Sequence, residues 1–314
     1  MSASYIVAYR PDLNVLNPIF INNILNTVFF QRKIKTIATK GVSQANINPS
    51  SFKEIIKIPL PPLKEQEKIA EILSTWDAAI TKQEQLIKQK IVFKKGITQQ
   101  IFSQKLRFKD DNGNDYPAWL KYNLYNVLKE RKIYQNKGLS LEHVSLTKLG
   151  VIPKSERYER DFLVKSENKQ YKITYKDDIC YNPANLKFGV ICRNNYGNGI
   201  FSPIYVTFEV NQNFNVQFIE YLFTRQEFIQ QIRKYEEGTV YERMAVSPED
   251  FLSFTVALPS LAEQNKLEDF LTSIKDEITK QTEILDQLKL QKQSLMQKLL
   301  TGQVRTFNFS KEIA

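Results

Sequence analysis

Three clusters of side chains carry the chemistry that this chain can offer. Lys148, Lys154, Arg157 and Arg160 form the first, Asn185, Lys187, Arg193, Asn194 and Asn195 the second, and Tyr241 and Arg243 the third. Lysine and arginine neutralise phosphates, and Arg, Lys, Asn and Gln discriminate base edges in a major groove. A net charge of +10 and a pI of about 9.3 agree with a polyanionic partner, nucleic acid ahead of a membrane surface. Taken singly, each of these residues also reads as solvated surface.

Catalytic chemistry is sparsely provided. The single histidine, His143, cannot build a multi-histidine metal centre and reads as a packing or surface residue. Cys180 and Cys192 lie in a strand-like segment without a CxxC or Cys/His cluster, so buried thiols are expected and a metal site is not. The chain has no phosphate loop of the GxxxxGK[ST] type and no strand followed by GxGxxG. Tyr181-Asn182-Pro183-Ala184 superficially resembles the Asn-Pro-Pro-aromatic motif of adenine methyltransferases, but it lacks the second proline and the aromatic. A strand-ending turn is the ordinary reading.

These residues need a scaffold, and the sequence outlines one. Tyr116–Ala257 reads as a mixed domain, with strands at Tyr171–Tyr175, Ile179–Tyr181, Gly189–Arg193 and Tyr205–Val210 and helices at Val216–Thr224 and Glu227–Tyr235. Two long helical stretches flank it, each entered through prolines (Pro59-Leu60-Pro61-Pro62 and Leu258-Pro259-Ser260). The first is expected to end near Phe108, before the turn-rich run Lys109–Asp115, and the second around Gly302.

The second stretch repeats the first. Leu60-Pro61-Pro62-Leu63-Lys64-Glu65-Gln66 returns as Leu258-Pro259-Ser260-Leu261-Ala262-Glu263-Gln264, and about fifteen positions between Leu60 and Arg107 are identical at one constant offset. Ile69, Leu73, Trp76, Ile80, Gln83 and Ile87 step alternately by four and three, as do Leu267, Leu271, Ile274, Ile278, Gln281 and Leu285. That is a heptad seam, and it predicts two rods packing as a coiled coil. The matched polar breaks, Gln83 with Gln281 and Lys94 with Lys292, favour mutual pairing over two helices that each cover a different core. Trp76, Phe102 and Leu299-Leu300 offer partner-docking surface as an alternative use of the rods.

A fainter repeat joins the N-terminus to the central domain. Asn17-Pro18-Ile19-Phe20-Ile21 resembles Val216-Gln217-Phe218-Ile219, and Asn48-Pro49-Ser50-Ser51-Phe52 resembles Ser247-Pro248-Glu249-Asp250-Phe251. Met1–Ile58 is therefore expected to be the second half of a domain of the central kind, so that the chain begins in mid-domain. The expected organisation is 1–58 half-domain, 59–108 first rod, 109–115 linker, 116–257 complete domain, 258–306 second rod and 307–314 tail. With no signal peptide and no long apolar run, a cytoplasmic location is expected.

Alternating variable domains and paired helices of this kind resemble the specificity subunit of type I restriction–modification systems. The phrase Ile58-Pro59-Leu60-Pro61-Pro62-Leu63-Lys64-Glu65-Gln66-Glu67-Lys68-Ile69-Ala70-Glu71-Ile72-Leu73 is similar to that family's helical regions. Lys95–Phe102 and Gln293–Gly302 resemble the helix ends, Tyr116-Pro117-Ala118-Trp119 the opening of a target-recognition domain, and Asp177–Asn182 with Gly189-Val190-Ile191 its central strand pair. The resemblance implies an α+β chain: a mixed α/β target-recognition domain plus two long helices in an antiparallel coiled coil. It implies double-stranded DNA, modification subunits and restriction subunits as partners, and no catalysis in this chain. S-adenosylmethionine, ATP and Mg are then expected in the partner subunits, with no cofactor here. A second copy of the chain, or a fragment completing the half-domain, is a further expected partner, and a homomeric pair would favour a two-fold symmetric, interrupted target. The alternatives are a truncated decoy or scaffold that binds modification subunits without productive DNA recognition, and a methyltransferase in its own right.

Overall fold

The computed structural model describes residues 9–40, 45–55, 57–136, 141–148, 150–154, 170–235 and 245–307. The chain forms two compact units, one built from 1–93 with 275–314 and the other from 94–274. Two forty-residue helices, α4 (Leu63–Phe102) and α9 (Leu261–Leu300), each contribute a segment to both. The units therefore divide the rods, whereas the sequence reading treats each rod as a domain of its own.

In the first unit, Asn17 caps α1 (Pro18–Leu25), its side chain accepting from Ile19 N and Phe20 N, and Thr27 caps α2 (Val28–Ile37). A two-residue pairing of β1 (Thr39–Lys40) with β2 (Ala45–Asn46) and a short α3 (Pro49–Ile55) follow. The core is small: Phe20, Ile24 and Phe30 pack with Ile69, Ala70 and Leu73 from the start of α4 and with Leu299 and Leu300 from the end of α9. Each fully enclosed side chain of this size contributes on the order of 2 kcal/mol. Of the apolar stretches Ile19–Leu25 and Ile34–Ile37, Phe20, Ile21, Ile24, Leu25 and Ile34 thus pack in this core, while Ile19 stays exposed.

Along the rods, within this unit, Asp77 meets Lys292 at 2.6 Å, Glu84 meets Lys289 at 2.7 Å and Lys90 meets Glu277 at 2.5 Å. Low numbers on one helix face high numbers on the other, so the rods run antiparallel. Gln83 and Gln281 hydrogen-bond at the middle of the seam.

The second unit holds the sheets. A four-stranded antiparallel sheet has the order β10 (Ile191–Arg193), β9 (Ile179–Tyr181), β12 (Val206–Val210), β4 (Leu128–Glu130). A three-stranded sheet has β8 (Gln170–Thr174) between β11 (Gly199–Phe201) and β5 (Tyr134–Asn136). Two antiparallel pairs complete it: the hairpin of β6 (Val144–Thr147) with β7 (Gly150–Pro153), and the long-range pair of β3 (Leu120–Asn123) with β13 (Thr255–Leu258). Helices α5 (Leu124–Val127), α6 (Val216–Phe223), α7 (Gln226–Ile232) and α8 (Pro248–Ser253) supply the other layer. Tyr181 and Phe208 of the sheet stack with Phe251 of α8 at 4.9 and 5.3 Å, and Ile101, Leu267 and Leu271 of the rods join this core. The strands at 170–174, 179–181, 191–193 and 206–210 fall where alternation and punctuation predict them.

The rods end earlier than the sequence suggests. α4 stops at Phe102 rather than near Phe108, because Gln104 adopts a left-handed φ of 60° and Leu106 N returns to Gln100 O. α9 stops at Leu300 through the same turn, with Gly302 at φ 75° and Val304 N bonded to Lys298 O.

Candidate nucleic-acid interface

The centre of the second unit is the β9–β10 hairpin, in which Ile191 faces Tyr181 and Arg193 faces Ile179. Its two ends carry different chemistry. At one end, Asn182 caps a 3-10 turn over Pro183–Phe188, its side chain accepting from Ala184 N and Asn185 N. Gly189 closes that turn at φ 78°. The turn presents Asn185, exposed, and Lys187, whose ammonium lies 5.5 Å over the exposed ring of Phe188. Tyr181 donates its hydroxyl to Val246 O at 3.1 Å, which fixes the chain just beyond 236–244 to this same end. Tyr241 and Arg243 lie in 236–244, outside the described residues, as do Arg157 and Arg160 in 155–169.

The opposite end of the hairpin is tied inward. Asp178 accepts from Arg131 Nε at 3.0 Å and Nη2 at 3.0 Å, from Tyr175 N at 2.8 Å and from Thr174 Oγ1. Burial pushes its carboxyl above the ordinary range, against the lowering pull of those Arg131 hydrogen bonds. Arg193 spans Asp177, Glu220 and Gln217. Asn194 is fully buried: its amide donates to Thr174 Oγ1, Tyr175 O and Gly197 O, and its oxygen accepts from Tyr196 N and Gly197 N. All its hydrogen-bonding capacity is used within the turn. The structure thus gives Arg193 and Asn194 an internal role, holding the hairpin, while Asn195 next to them is exposed.

Lys148 is exposed at the tip of the β6–β7 hairpin, and Lys154, half-buried, sits at its base with its N–H on His143 O. Among the described residues no ion pair engages Lys148, Lys154 or Lys187, whereas Arg131, Lys172 and Arg193 are each neutralised by carboxylates. The expected site residues therefore divide into free cations on loops and a buried frame. Sequence reasoning missed Arg131, Lys172 and Asp178, the charges of that frame. The only signal for Asp178 was the Asp177-Asp178 pair at a turn. His143 packs edge-on to Tyr171 at 4.4 Å, and both cysteines are buried free thiols. Among the described residues no group of His, Cys, Asp and Glu is arranged to hold a metal ion, and no helix is long and apolar enough to cross a membrane.

The predicted seam lies on the covered stripe of the rods. Ile69, Leu73, Leu267, Leu271, Ile274 and Leu285 are buried, and Trp76, Ile80, Gln83, Ile87, Ile278 and Gln281 half-buried. Its outer members belong as much to the two cores as to the opposite rod. Each rod start is also latched to the end of its mate. Glu263 accepts from Arg107 Nε and Nη2 at 3.0 and 2.7 Å, and Glu65 from Arg305 Nε and Nη2 at 2.8 and 2.6 Å. Gln66 Oε1 accepts from Asn17 N and Gln264 Oε1 from Asn215 N, both at 2.9 Å. The repeat in sequence is a repeat in hydrogen bonding.

Comparison with known proteins places this arrangement. The family model described as "Type I restriction modification DNA specificity domain" matches residues 6–92. The putative type I restriction enzyme MjaX specificity subunit of Methanocaldococcus jannaschii is 28% identical, covering 94% of this chain and 70% of that protein. The MjaVIII specificity subunit of the same organism is 26% identical over 90% of this chain and 71% of its own length. Among solved structures, the HsdS subunit from Thermoanaerobacter tengcongensis superposes with a TM-score of 0.50 at 15% identity, over 92% of this chain and 71% of that one. The type I restriction–modification S subunit from M. genitalium gives 0.52 at 18% identity, over 92% and 74%. Over nine-tenths of its length the chain is thus similar in sequence to proteins named as specificity subunits of type I restriction–modification systems, and it shares the fold of the solved S subunits.

Proposed function

We propose that this chain is the DNA-recognition subunit of a type I restriction–modification assembly and performs no catalysis itself. Its second unit reads a DNA half-site through the loops that carry Lys148, Lys154, Asn185, Lys187 and Asn195. The antiparallel rods space the recognition elements and dock modification subunits; S-adenosylmethionine, ATP and Mg belong to the partner subunits. The observation that carries the reading is the alignment of 94% and 90% of the chain with proteins named as specificity subunits. The separation of free loop cations from neutralised frame cations supports it, because phosphate contacts require charges that are not already spent.

The rods also offer a surface for a partner. Ile91, Val92 and Phe93 near one end of the pairing, and Leu290 separately near the other, are each more than half exposed. Modification subunits would cover the Ile91–Phe93 segment.

The test is co-expression of the chain with its methyltransferase subunit, followed by mapping of methylated adenines. The expected result is a discrete methylated sequence that disappears without the chain. Methylation that is unchanged without it, or S-adenosylmethionine-dependent methylation by the purified chain alone, would overturn the reading.

A further inference from the structure

The turn between β9 and β10 holds a phenylalanine outward. Phe188 is 56% exposed, whereas every other phenylalanine among the described residues of the second unit packs against another ring. Among the described residues the one partner of the Phe188 ring is the Lys187 ammonium beside it in the chain.

The turn gives the ring no way back. Asn182 N donates to Val190 O and closes the two strands beneath it, while the Asn182 side chain holds Ala184 N and Asn185 N. Leu186 is fully buried and pins the middle of the turn in the core. Gly189 N donates to Leu186 O at 2.8 Å, and Gly189 takes the left-handed φ of 78° that a residue with a Cβ adopts only under strain. Phe188 lies between these two fixed points, so only its own side-chain torsions remain free.

The surroundings select the kind of partner. Beside the ring, this turn carries the exposed Asn185 amide and the Lys187 ammonium, which no carboxylate among the described residues neutralises. A protein interface gathers apolar side chains at its centre. Here a single ring stands between an amide and a cation, which together match the stacking face, the base edge and the phosphate of a nucleic acid.

We propose that Phe188 is a wedge that enters the DNA duplex between neighbouring base pairs and partly unstacks them, while Lys187 meets the flanking phosphate. The inference rests on the second unit being the part that recognises DNA. It adds a deformation to that recognition: base steps that open readily are favoured at a position that no hydrogen bond reads.

The test uses the chain assembled with its modification subunits, and duplexes that carry the methylated sequence with 2-aminopurine at one position at a time. The parent assembly is expected to raise the fluorescence at one base step, apart from any rise at an adenine extruded for methylation. With the DNA saturated, Phe188→Ala should abolish that rise and Phe188→Tyr should keep it. Phe188→Ala should also weaken binding about ten-fold while leaving the salt slope unchanged, because a stacked ring is lost and no charge. Its thermal midpoint should match the parent's, since the ring is exposed. A parent assembly that binds with no rise outside the methylated adenine, or a rise that persists in Phe188→Ala, would overturn the wedge alone. So would loss of modification subunits from Phe188→Ala with the rise unchanged, which would assign the ring to a protein contact. A parent assembly without sequence-selective DNA binding would overturn the underlying reading and the wedge with it.

Discussion

Gln83 donates its side-chain amide to the side-chain oxygen of Gln281 at 2.8 Å and to the backbone oxygen of the same residue at 2.9 Å. The two are equivalent in the repeat, so this pair marks the point where the antiparallel rods exchange roles. A polar pair inside an apolar seam lowers stability relative to leucine and specifies register, because any slip leaves both amides without partners. The double substitution Gln83→Leu with Gln281→Leu is expected to raise the thermal midpoint while loosening register. Disulfide trapping reads the second effect: cysteines placed at Asp77 and Lys292 should crosslink uniquely in the parent background and alongside mismatched pairs in the double variant. Unique crosslinking in both would remove the register role.

The rod ends respond to acid. Hydrogen bonds from Arg305 hold the Glu65 carboxyl below the usual carboxylate range. A depressed folded-state pKa contributes stability that is fully present above the unfolded value and is lost as pH falls through the folded value. The contribution is thus fully present at neutral pH, begins to fall as pH drops into the ordinary glutamate range, and is gone below the lowered folded value. Thermal melts at neutral pH and at acid pH should converge for Glu65→Gln relative to the parent, the variant being less stable only at neutral pH. A Glu65→Gln deficit that persists unchanged in acid would assign the loss to packing instead.

Gln104 and Gly302 end the two rods with the same left-handed turn. A side chain in that conformation costs about 1 kcal/mol that glycine does not incur. Gln104→Gly should therefore stabilise the chain by about 1 kcal/mol and Gly302→Ala should destabilise it by a similar amount. Chemical denaturation of the two variants measures both, and the opposite signs are the signature.

The heptad steps made the rods legible, and the constant spacing of the repeat paired Glu65 with Glu263 and Arg107 with Arg305 before any coordinates. Sequence could not show that these four residues latch each other, because the latch joins the start of one helix to the end of the other through the antiparallel fold. Strands β8, β9, β10 and β12 were legible from apolar runs between Gly, Asn and Pro. β3 was not: Leu120–Asn123 carries no alternation of burial, since its outer face is exposed and its partner β13 is more than a hundred residues away. The candidate site was legible in composition only. Arg193, Asn194 and Asn195 look alike in sequence, and only the turn at Asp177–Asp178 decides that the first two face inward.

That distinction separates two kinds of substitution. Lys148 and Lys187 carry charges that no carboxylate among the described residues neutralises, so replacing either with alanine should weaken DNA binding across sequences and lower the salt dependence by about one counterion each. Asn194→Ala should act differently. It leaves the donors and acceptors of Thr174, Tyr175 and Gly197 unsatisfied in a buried turn, a loss of about 1–3 kcal/mol in stability. Because Asn194 has no exposed surface, the variant should keep its salt slope and sequence preference under conditions where it is folded. Filter binding over a range of salt, alongside denaturation of the same preparations, measures both quantities. A changed sequence preference in folded Asn194→Ala, or an unchanged salt slope in both lysine variants, would reverse the assignment of frame and contact made from the geometry.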